Sequence, residues 1–368
     1  MVNFSWTFVL VIITYGFGIS NQATWSQDIN YSPTKIYYPG PVNRPDSYKY
    51  KTSTTTTPKP SVTNNVQGDA GDDEETCILT ATPPDPDSQC CGIEASSNNF
   101  IVGGEATTLE QYPWLVAIEY KRKDDGKMKV YCGGFLISGR YMLSAAHCFV
   151  GEVEQVGKPQ NILLGEYNVT NEGPDCIKTK AGATVCTKGA TRVPIESVVV
   201  HPEHYHDTRV NYHDIAIVRL SKTVEYSNYV RPICLPKSDL EVSPLDNLML
   251  YTTGWGAIKQ RRVNFGFFSE YDGIKRHVAV PYRNITACRE VFGSFVGEGH
   301  MCAGGEQGKD SCRGDSGGPL MRESDGVFSV IGMVSTGTGK HACGTEGFPA
   351  IYVKIYQYLD WIRSNIKP

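Results

Sequence analysis

From residue 101 onward, short apolar or alternating runs recur along the chain, and each is bounded by glycine, asparagine or proline. The runs cover residues 114–120, 135–137, 195–200, 215–220 and 327–334. Runs of this length between turn residues are typical of the strands of a sandwich or barrel. The pattern therefore predicts an all-β domain over residues 101–368.

Helical spacing of apolar positions occurs only in residues 353–366, with Ile355, Leu359 and Ile362 on one face. This spacing predicts a C-terminal helix. Residues 21–76 are instead rich in proline, threonine, serine and asparagine. They carry too little apolar surface to offset the entropy of ordering, which predicts a disordered N-terminal arm. Its Thr/Pro run could carry O-linked sugar or could be a plain extended linker.

The first twenty residues predict a signal peptide. Residues 4–13 are mostly apolar, and small residues follow at positions 18–20, where a signal peptidase would cut. The alternative, a membrane anchor, fits less well because the apolar stretch is short. No later stretch reaches the 18 apolar residues of a membrane span, so we expect a secreted protein without a membrane partner.

Composition narrows the class further. The formal net charge of −4 over 368 residues gives no basic field that would attract nucleic acid. The chain has 12 cysteines but no CxxC pair and no cluster with zinc spacing. Disulfides formed in an oxidising, extracellular compartment fit this pattern better than metal binding or redox chemistry.

Three local motifs carry the candidate chemistry. One places His147 beside a cysteine, another places Asp214 at the head of an apolar run, and the third places Ser316 among glycines. Each motif alone has an ordinary structural explanation, as a packed loop residue or a turn. A serine hydroxyl, however, becomes a useful nucleophile only when a base such as histidine lies within hydrogen-bond reach.

Taken together, in the order His, Asp, Ser, these motifs resemble the chymotrypsin/trypsin family of serine proteases over residues 101–368. The resemblance implies two six-stranded antiparallel β-barrels with a C-terminal helix outside them. It also implies that His147, Asp214 and Ser316 form a catalytic triad, and that the backbone N–H groups of Gly314 and Ser316 form the oxyanion hole.

The resemblance extends to activation by cleavage. Residues 101–104, Ile-Val-Gly-Gly, are similar to the N-terminus that such precursors release, whose amine pairs with the acid before the nucleophile, here Asp315. The bond to be cut is Phe100–Ile101, whereas the family usually has Arg or Lys before Ile. Residues 77–100 would then be a light-chain segment. We expect an upstream activating protease with an apolar pocket.

Substrate specificity can be carried over in the same way. Asp310 stands six residues before Ser316, where the family has the acid of the S1 pocket, which implies cleavage after Arg or Lys. Ala350 replaces a glycine that usually lines this pocket, so it adds a methyl group to the wall. The family strand that pairs with the substrate backbone matches Ser335, Thr336 and Gly337 of this chain.

By resemblance, the cysteines pair in six disulfides: Cys132–Cys148, Cys288–Cys302, Cys312–Cys343, Cys91–Cys234, Cys176–Cys186 and Cys77–Cys90. Cys90 is the alternative to Cys91 as the partner that tethers the light chain. The loop of Cys176 resembles that of arthropod clip-domain proteases. A clip domain needs six upstream cysteines and this chain has three, so a complete clip domain is absent.

Two further kinds of site are indicated. Glu166 and Asn168 fall near a loop that binds structural calcium in several members of the family, and a loop without metal is the alternative. No cofactor is required by the chemistry. The N-x-S/T pattern marks Asn30, Asn168 and Asn284 as glycosylation sites, although Pro33 follows the first of them.

These features predict a secreted precursor of a trypsin-like serine endopeptidase in an extracellular cascade of the immunity, clotting or melanisation type. Its expected partners are a protein substrate, the activating protease and a serpin-type inhibitor, and its expected form is a monomer with a disulfide-linked light chain. The alternatives are an inactive homologue that acts as an adaptor, and a digestive or venom protease.

Overall fold

The computed structural model describes the backbone of residues 35–37 and all atoms of a larger set of ranges. These are residues 77–95, 104–179, 182–206, 209–240, 248–263, 266–337, 339 and 341–368. The predicted signal peptide, almost all of the predicted arm, Asn30, Phe100 and Ile101 lie outside the described residues.

Six antiparallel strands form the first barrel. They are β3 (Leu115–Arg122), β4 (Met128–Leu136), β5 (Tyr141–Ser144), β6 (Gly157–Leu164), β9 (Thr191–Val200) and β12 (Ala216–Leu220). Their order is β9-β12-β5-β4-β3-β6, and β6 pairs back with β9 to close the barrel. Strand β9 alternates as a barrel strand should, with Val193 and Ile195 buried and Arg192 and Glu196 exposed.

Six more antiparallel strands form the second barrel. They are β13 (Met249–Gly254), β16 (Arg276–Arg283), β17 (His300–Gly304), β18 (Pro319–Ser324), β19 (Val327–Thr336) and β20 (Pro349–Lys354). Their order is β13-β18-β19-β20-β17-β16, and pairing of β16 with β13 closes the barrel. The prediction of two six-stranded antiparallel barrels is therefore confirmed.

The remaining strands are short and lie at the edges of the barrel sheets or in separate hairpins. Strand β2 (Glu105–Ala106) extends the second barrel along β16. Three hairpins stand apart, formed by β7 (Cys176–Lys178) with β8 (Thr184–Cys186), β10 (Tyr205–His206) with β11 (Asn211–Tyr212), and β14 (Lys259–Val263) with β15 (Gly266–Glu270). Strand β1 (Lys35–Tyr37), which the sequence pattern does not indicate, pairs in parallel with residues 197–199 of β9. It uses the edge that β6 leaves open, because β6 pairs only with residues 191–194.

Three short helices occur in the described residues: α1 (Val153–Val156), α2 (Ile285–Phe292) and α3 (Leu359–Asn365). The predicted C-terminal helix is present, but it begins later than expected because Val353 pairs with Met333 and His300 in the sheet. The sequence pattern did not indicate α1 or α2. Helix α2 has only eight residues, which is too short for a clear period, and Asn284 caps its first turn.

Buried side chains run continuously through the first barrel and into the second. Trp114 is fully buried, and its indole N–H points at the sulfur of Met321 in the second barrel at 3.0 Å. Its ring also packs against that of Phe328 in β19, at 5.4 Å between centroids. This apolar contact fixes the two barrels against each other, and with them the cleft between them.

The six disulfides of the structure are the six pairs that the family resemblance implies, including Cys91–Cys234 and Cys77–Cys90. The light-chain segment is also bound by its backbone, since Gly92 donates to Pro232 at 2.9 Å and accepts from Phe328 at 2.8 Å. Among the described residues, no helix has the length and apolar character needed to cross a membrane.

Candidate active site

His147 and Asp214 are held together by two hydrogen bonds. His147 lies in a 3-10 helix, Ala146–Cys148, that follows β5, and Asp214 lies just before β12. The carboxylate of Asp214 is completely buried. Its Oδ1 accepts the backbone N–H of His147 at 2.9 Å, and its Oδ2 lies 2.8 Å from the ring Nδ1. Both the backbone and the ring of the histidine are therefore fixed by one acid.

Burial disfavours the charged form of each partner, yet their mutual attraction and their hydrogen bond are stronger than this penalty. The pKa of His147 is therefore raised above its ordinary value, through the charge of Asp214 and the bond to it. The same interactions, together with the hydroxyl of Ser335, lower the pKa of Asp214 despite its burial. The pair thus favours an ionised carboxylate that stabilises a protonated imidazole.

The second barrel supplies a further donor to this carboxylate. The hydroxyl of Ser335, in β19, donates to Oδ2 of Asp214 at 2.6 Å. The side-chain amide of Asn211, in β11, donates to the same oxygen at 3.3 Å and to the hydroxyl of Thr336 at 3.1 Å. The carboxylate therefore joins side chains from both barrels.

A short chain of backbone and disulfide contacts connects Ser316 to the segment that carries His147. The carbonyl of Ser316 accepts the N–H of Gly133 in β4 at 2.9 Å. Gly133 follows Cys132, whose disulfide reaches Cys148, the residue after His147. On its other side, the N–H of Gly317 donates to Val334 in β19 at 2.9 Å. The serine turn is thus fixed between the two barrels.

Glycine is required in this turn. Gly317 has a φ of +79°, and a Cβ there would lie 2.3 Å from the hydroxyl oxygen of Ser144. Gly314 has a φ of +105°, and its Cβ would lie 3.1 Å from the Cα of Gly256. Within the described part of the chain, the backbone N–H groups of Gly314 and Ser316 donate to no protein acceptor. Both donors are therefore available to an oxygen of a bound molecule.

A cavity of about 220 Å³ opens in the second barrel and is lined by both Asp310 and Asp315. Oδ2 of Asp310 accepts the N–H of Gly344 at 3.0 Å, whereas its Oδ1 is buried and has no hydrogen-bond partner among the described residues. Burial raises the pKa of Asp310 to about 7. A buried acceptor without a partner is costly, so this end of the cavity favours a ligand that carries hydrogen-bond donors.

Asp315 faces another part of the same cavity. Its two oxygens accept the backbone N–H groups of Gly256 at 2.7 Å and Cys312 at 2.9 Å. Burial raises the pKa of Asp315 because no cation among the described residues is paired with it. A Cβ on Gly254 or Gly256 would lie 2.0 or 2.3 Å from this carboxylate, so the neighbouring strand end must be glycine-rich.

A sequence model of the Trypsin family matches residues 101–362, which is most of the chain.

The chain belongs to the trypsin family of serine proteases.

Relatives within the family agree with the resemblance to arthropod clip-domain proteases. The chain is 40% identical over 326 residues to the phenoloxidase-activating enzyme of Bombyx mori, which covers 86% of this chain and 70% of that protein. It is 34% identical over 333 residues to serine protease ea of Drosophila melanogaster, covering 88% and 77%. It is also 36% identical over 288 residues to CLIP domain-containing serine protease B9 of Anopheles gambiae, covering 77% and 67%.

The predicted specificity residues of this trypsin-family chain lie in strands and loops of the second barrel. Ser335 and Thr336 end strand β19, and Gly337 follows them at an exposed position with open space around it. Ala350 lies in β20, buried in the core of the second barrel, and is not among the described residues that line the cavity.

The predicted metal residues lie in the loop before β7. Oε1 of Glu166 accepts the N–H groups of Tyr167 and Asn168, at 2.9 and 3.0 Å. The side-chain oxygen of Asn168 instead accepts from Thr170, so it points into its own turn. Asp175, which the sequence analysis did not single out, lies buried beside Glu166, and burial together with its charge raises the pKa of Glu166. Two adjacent buried carboxylates suit a hard cation such as calcium.

The two described sequons differ in exposure. Asn284 is exposed at the start of α2, where its side-chain oxygen caps the N–H of Thr286 at 3.0 Å. Asn168 is half-buried in the loop just described.

Asn211 is another site residue that sequence reasoning missed. It is buried, and its amide group uses its oxygen toward His206 at 2.5 Å and its nitrogen toward Asp214 and Thr336. The ring of His300 also contacts Asn211, since its Nε2 lies 2.9 Å from the backbone carbonyl oxygen of Asn211. The available signal was weak: a polar residue three positions before the triad acid, in a stretch that gives no clear strand pattern.

We expect Asn211→Leu to lower kcat/KM for peptide hydrolysis by about 3–30-fold at neutral pH, because one donor to the triad carboxylate is lost. Without that donor Asp214 attracts the imidazolium more strongly, so the pKa of His147 rises. The acid limb of the pH profile of kcat/KM should therefore move to higher pH. Asn365→Leu, in the C-terminal helix, is the matched control. An unchanged acid limb in Asn211→Leu would show that Asn211 has only a packing role.

Proposed function

We propose that the chain is the secreted precursor of a serine endopeptidase that cleaves proteins after Arg or Lys. The observation that carries this proposal is the buried Asp214 carboxylate, bonded to His147 and connected through the Cys132–Cys148 disulfide to the fixed Ser316 turn. Membership of the trypsin family supports this assignment of roles to the three residues.

In this proposal Ser316 attacks the substrate carbonyl and His147 takes its proton, then returns it to the leaving amine. Asp214 stays ionised and stabilises the imidazolium that forms, in line with the lowered pKa of its carboxyl group and the raised pKa of His147. The N–H groups of Gly314 and Ser316 receive the negative charge that develops on the carbonyl oxygen. Loss of one such donor typically costs about 10²–10³-fold in kcat.

Specificity for Arg or Lys is supported by the unpaired oxygen of Asp310. A guanidinium or ammonium group in the cavity would supply the missing donor and the opposite charge to Oδ1. An apolar side chain would leave that carboxylate desolvated and unpaired. The segment of Ser335, Thr336 and Gly337 at the end of β19 would bind the substrate backbone beside it.

Activation is proposed to follow cleavage of the Phe100–Ile101 bond. The new amine of Ile101 would enter the cavity and pair with Asp315, whose buried carboxylate has no cationic partner in the described structure. A buried ammonium and a buried carboxylate are each costly unless they meet. Because the Asp310 pocket disfavours Phe, the enzyme would depend on another protease for this cut.

The setting that we propose is an extracellular cascade with a protein substrate and a serpin-type inhibitor. One relative is named a phenoloxidase-activating enzyme, which makes activation of another precursor a reasonable role for this chain. Six disulfides fit an oxidising compartment, and Cys91–Cys234 would keep the light chain attached after cleavage. We also propose structural calcium at Glu166 and Asp175.

The first prediction concerns activation. Chymotrypsin should cut the purified precursor after Phe100, so that Ile101 becomes the new N-terminus. The treated protein should then hydrolyse chromogenic peptides that end in Arg. Phe100→Arg should make trypsin the effective activator and give the same Ile101 N-terminus, with Arg instead of Phe at the end of the disulfide-linked light chain. Ser316→Ala should lose about 10⁶-fold in kcat after either cut.

N-terminal sequencing controls for the cut itself. No activity despite a confirmed Ile101 N-terminus would favour an inactive homologue that acts as an adaptor. Maturation of the precursor alone, at a rate that rises with its own concentration, would contradict the need for an upstream protease.

The second prediction concerns the pocket. Asp310→Asn should lower kcat/KM for Arg peptides by about 10²–10⁴-fold, since the substrate cation would lose its buried partner. In the parent enzyme, KM for Arg peptides should rise as the pH falls below 7, because the pKa of Asp310 is about 7 and its protonated form no longer attracts the cation. Asp325→Asn, at an exposed turn, is the control. Equal activity of Asp310→Asn and parent on Arg peptides would exclude Asp310 as the specificity residue.

The third prediction concerns calcium. Saturating calcium should raise the Tm of the full chain by roughly 5 °C, because an ion that binds only the folded state stabilises it. Asp175→Asn and Glu166→Gln should remove this increase, while Glu154→Gln, an exposed acid elsewhere in the barrel, should retain it. The same increase in all three variants, or none in the parent, would contradict the assignment.

A further inference from the structure

Three side chains with metal-binding atoms meet on the side of the first barrel behind the triad acid. His201 directly follows β9, Glu203 lies in the next turn, and His213 directly precedes Asp214. One ligand atom from each lies within 4.8 Å of the other two. The Nε2 of His213 is 3.9 Å from a carboxylate oxygen of Glu203. Neither the triad nor the substrate pocket uses these side chains.

Aromatic neighbours hold the two imidazole rings in place. The rings of His201 and His213 are stacked, with centroids 4.7 Å apart and an interplanar angle of 10°. The hydroxyl of Tyr358 lies 3.1 Å from Nδ1 of His213, and the ring of Trp361 contacts that of His201. A hydrogen bond to one ring nitrogen orients the other toward a metal, as outer partners of metal-bound histidines commonly do.

Burial disfavours the protonated form of both rings. Burial, and then the charge of the neighbouring His213, lower the pKa of His201 to about 4. Burial also lowers the pKa of His213. A neutral imidazole offers the lone pair that a metal requires.

We propose that His201, Glu203 and His213 bind a divalent transition metal ion, with zinc as the ion whose preferences they match best. Two imidazole nitrogens and one carboxylate oxygen form a common zinc donor set, and a water molecule would complete the tetrahedron. Nothing in the proposed catalytic mechanism requires this ion.

Binding needs a modest local rearrangement. Zinc holds nitrogen and oxygen ligands at about 2.0–2.2 Å, so the three ligand atoms must move closer together. The side chain of Glu203 is 57% exposed on a turn and can move inward by a change of rotamer. His201 Nδ1 accepts the N–H of Glu203 at 3.2 Å, and this long hydrogen bond would be exchanged for the metal.

The site is connected to the triad through the backbone. The N–H of Ile215 donates to the carbonyl of His213 at 2.8 Å, and the N–H of His201 donates to the carbonyl of Ile215 at 3.0 Å. Asp214 lies between His213 and Ile215, so a metal that cross-links His201 and His213 would clamp the segment that carries the triad acid. The expected result is a more stable folded protein.

Cobalt is the probe for the test, because tetrahedral Co²⁺ has an intense visible spectrum and zinc displaces it. The parent is the full chain with His147→Ala, which removes the catalytic imidazole as a competing ligand. Cysteine is no competitor, since all 12 form disulfides. We expect a tetrahedral Co²⁺ spectrum that zinc abolishes, and a Tm that rises by roughly 5–10 °C at 100 times the Kd of zinc.

Glu203→Gln and His213→Asn, each made in the His147→Ala parent, should weaken Co²⁺ binding at least about tenfold. Glu225→Gln and His341→Gln, at exposed positions outside the cluster, are the matched controls and should bind as the parent does. Glu203→Gln changes an exposed side chain on a turn, so its folding is not at risk even if His213→Asn proves unstable. Absence of a tetrahedral spectrum in the parent, or unchanged affinity in Glu203→Gln, would overturn the proposal. Since none of these measurements needs peptide hydrolysis, their outcome is independent of the proposed protease activity.

Discussion

The interaction on which the site depends is the complete burial of the Asp214 carboxylate. A buried charge is tolerated only when hydrogen bonds and an opposite charge compensate its lost hydration. Here the compensation comes from His147 in the first barrel and from Ser335 in the second, with Asn211 as an additional donor. One carboxylate therefore links the packing of the two barrels to the orientation of the His147 ring.

The turn that carries Ser316 has a different constraint, because its backbone lies close to the backbone of neighbouring strands. Its residues are bonded to β4 on one side and to β19 on the other, and no room remains for a Cβ at Gly317. The Cys132–Cys148 disulfide ties the β4 side to the histidine covalently. Ser316 and His147 are thus positioned by short backbone and disulfide connections.

Several buried polar groups lack full compensation, and they cluster where ligands are expected. Asp310 has an unpaired oxygen, Asp315 has hydrogen bonds but no cation among the described residues, and Glu166 lies beside Asp175. Burial raises the pKa of Asp310, Asp315 and Glu166 alike, which means that each would be stabilised by an incoming positive charge. A substrate cation, a new N-terminus and a calcium ion are the three cations that we propose for them.

The sequence by itself determined the all-β class, the C-terminal helix and the three chemical motifs, because turn residues, apolar period and the order of His147, Asp214 and Ser316 are local properties of the chain. It missed α2, whose eight residues are too short to show a period, and β1, whose three residues pair only because β9 has an open edge. Only the tertiary structure brought Asn211 to the triad carboxylate, Asp175 to Glu166, and His201 to His213. These contacts join residues on different turns and strands, and their positions are decided by barrel closure and chain packing, which no local pattern of residues encodes.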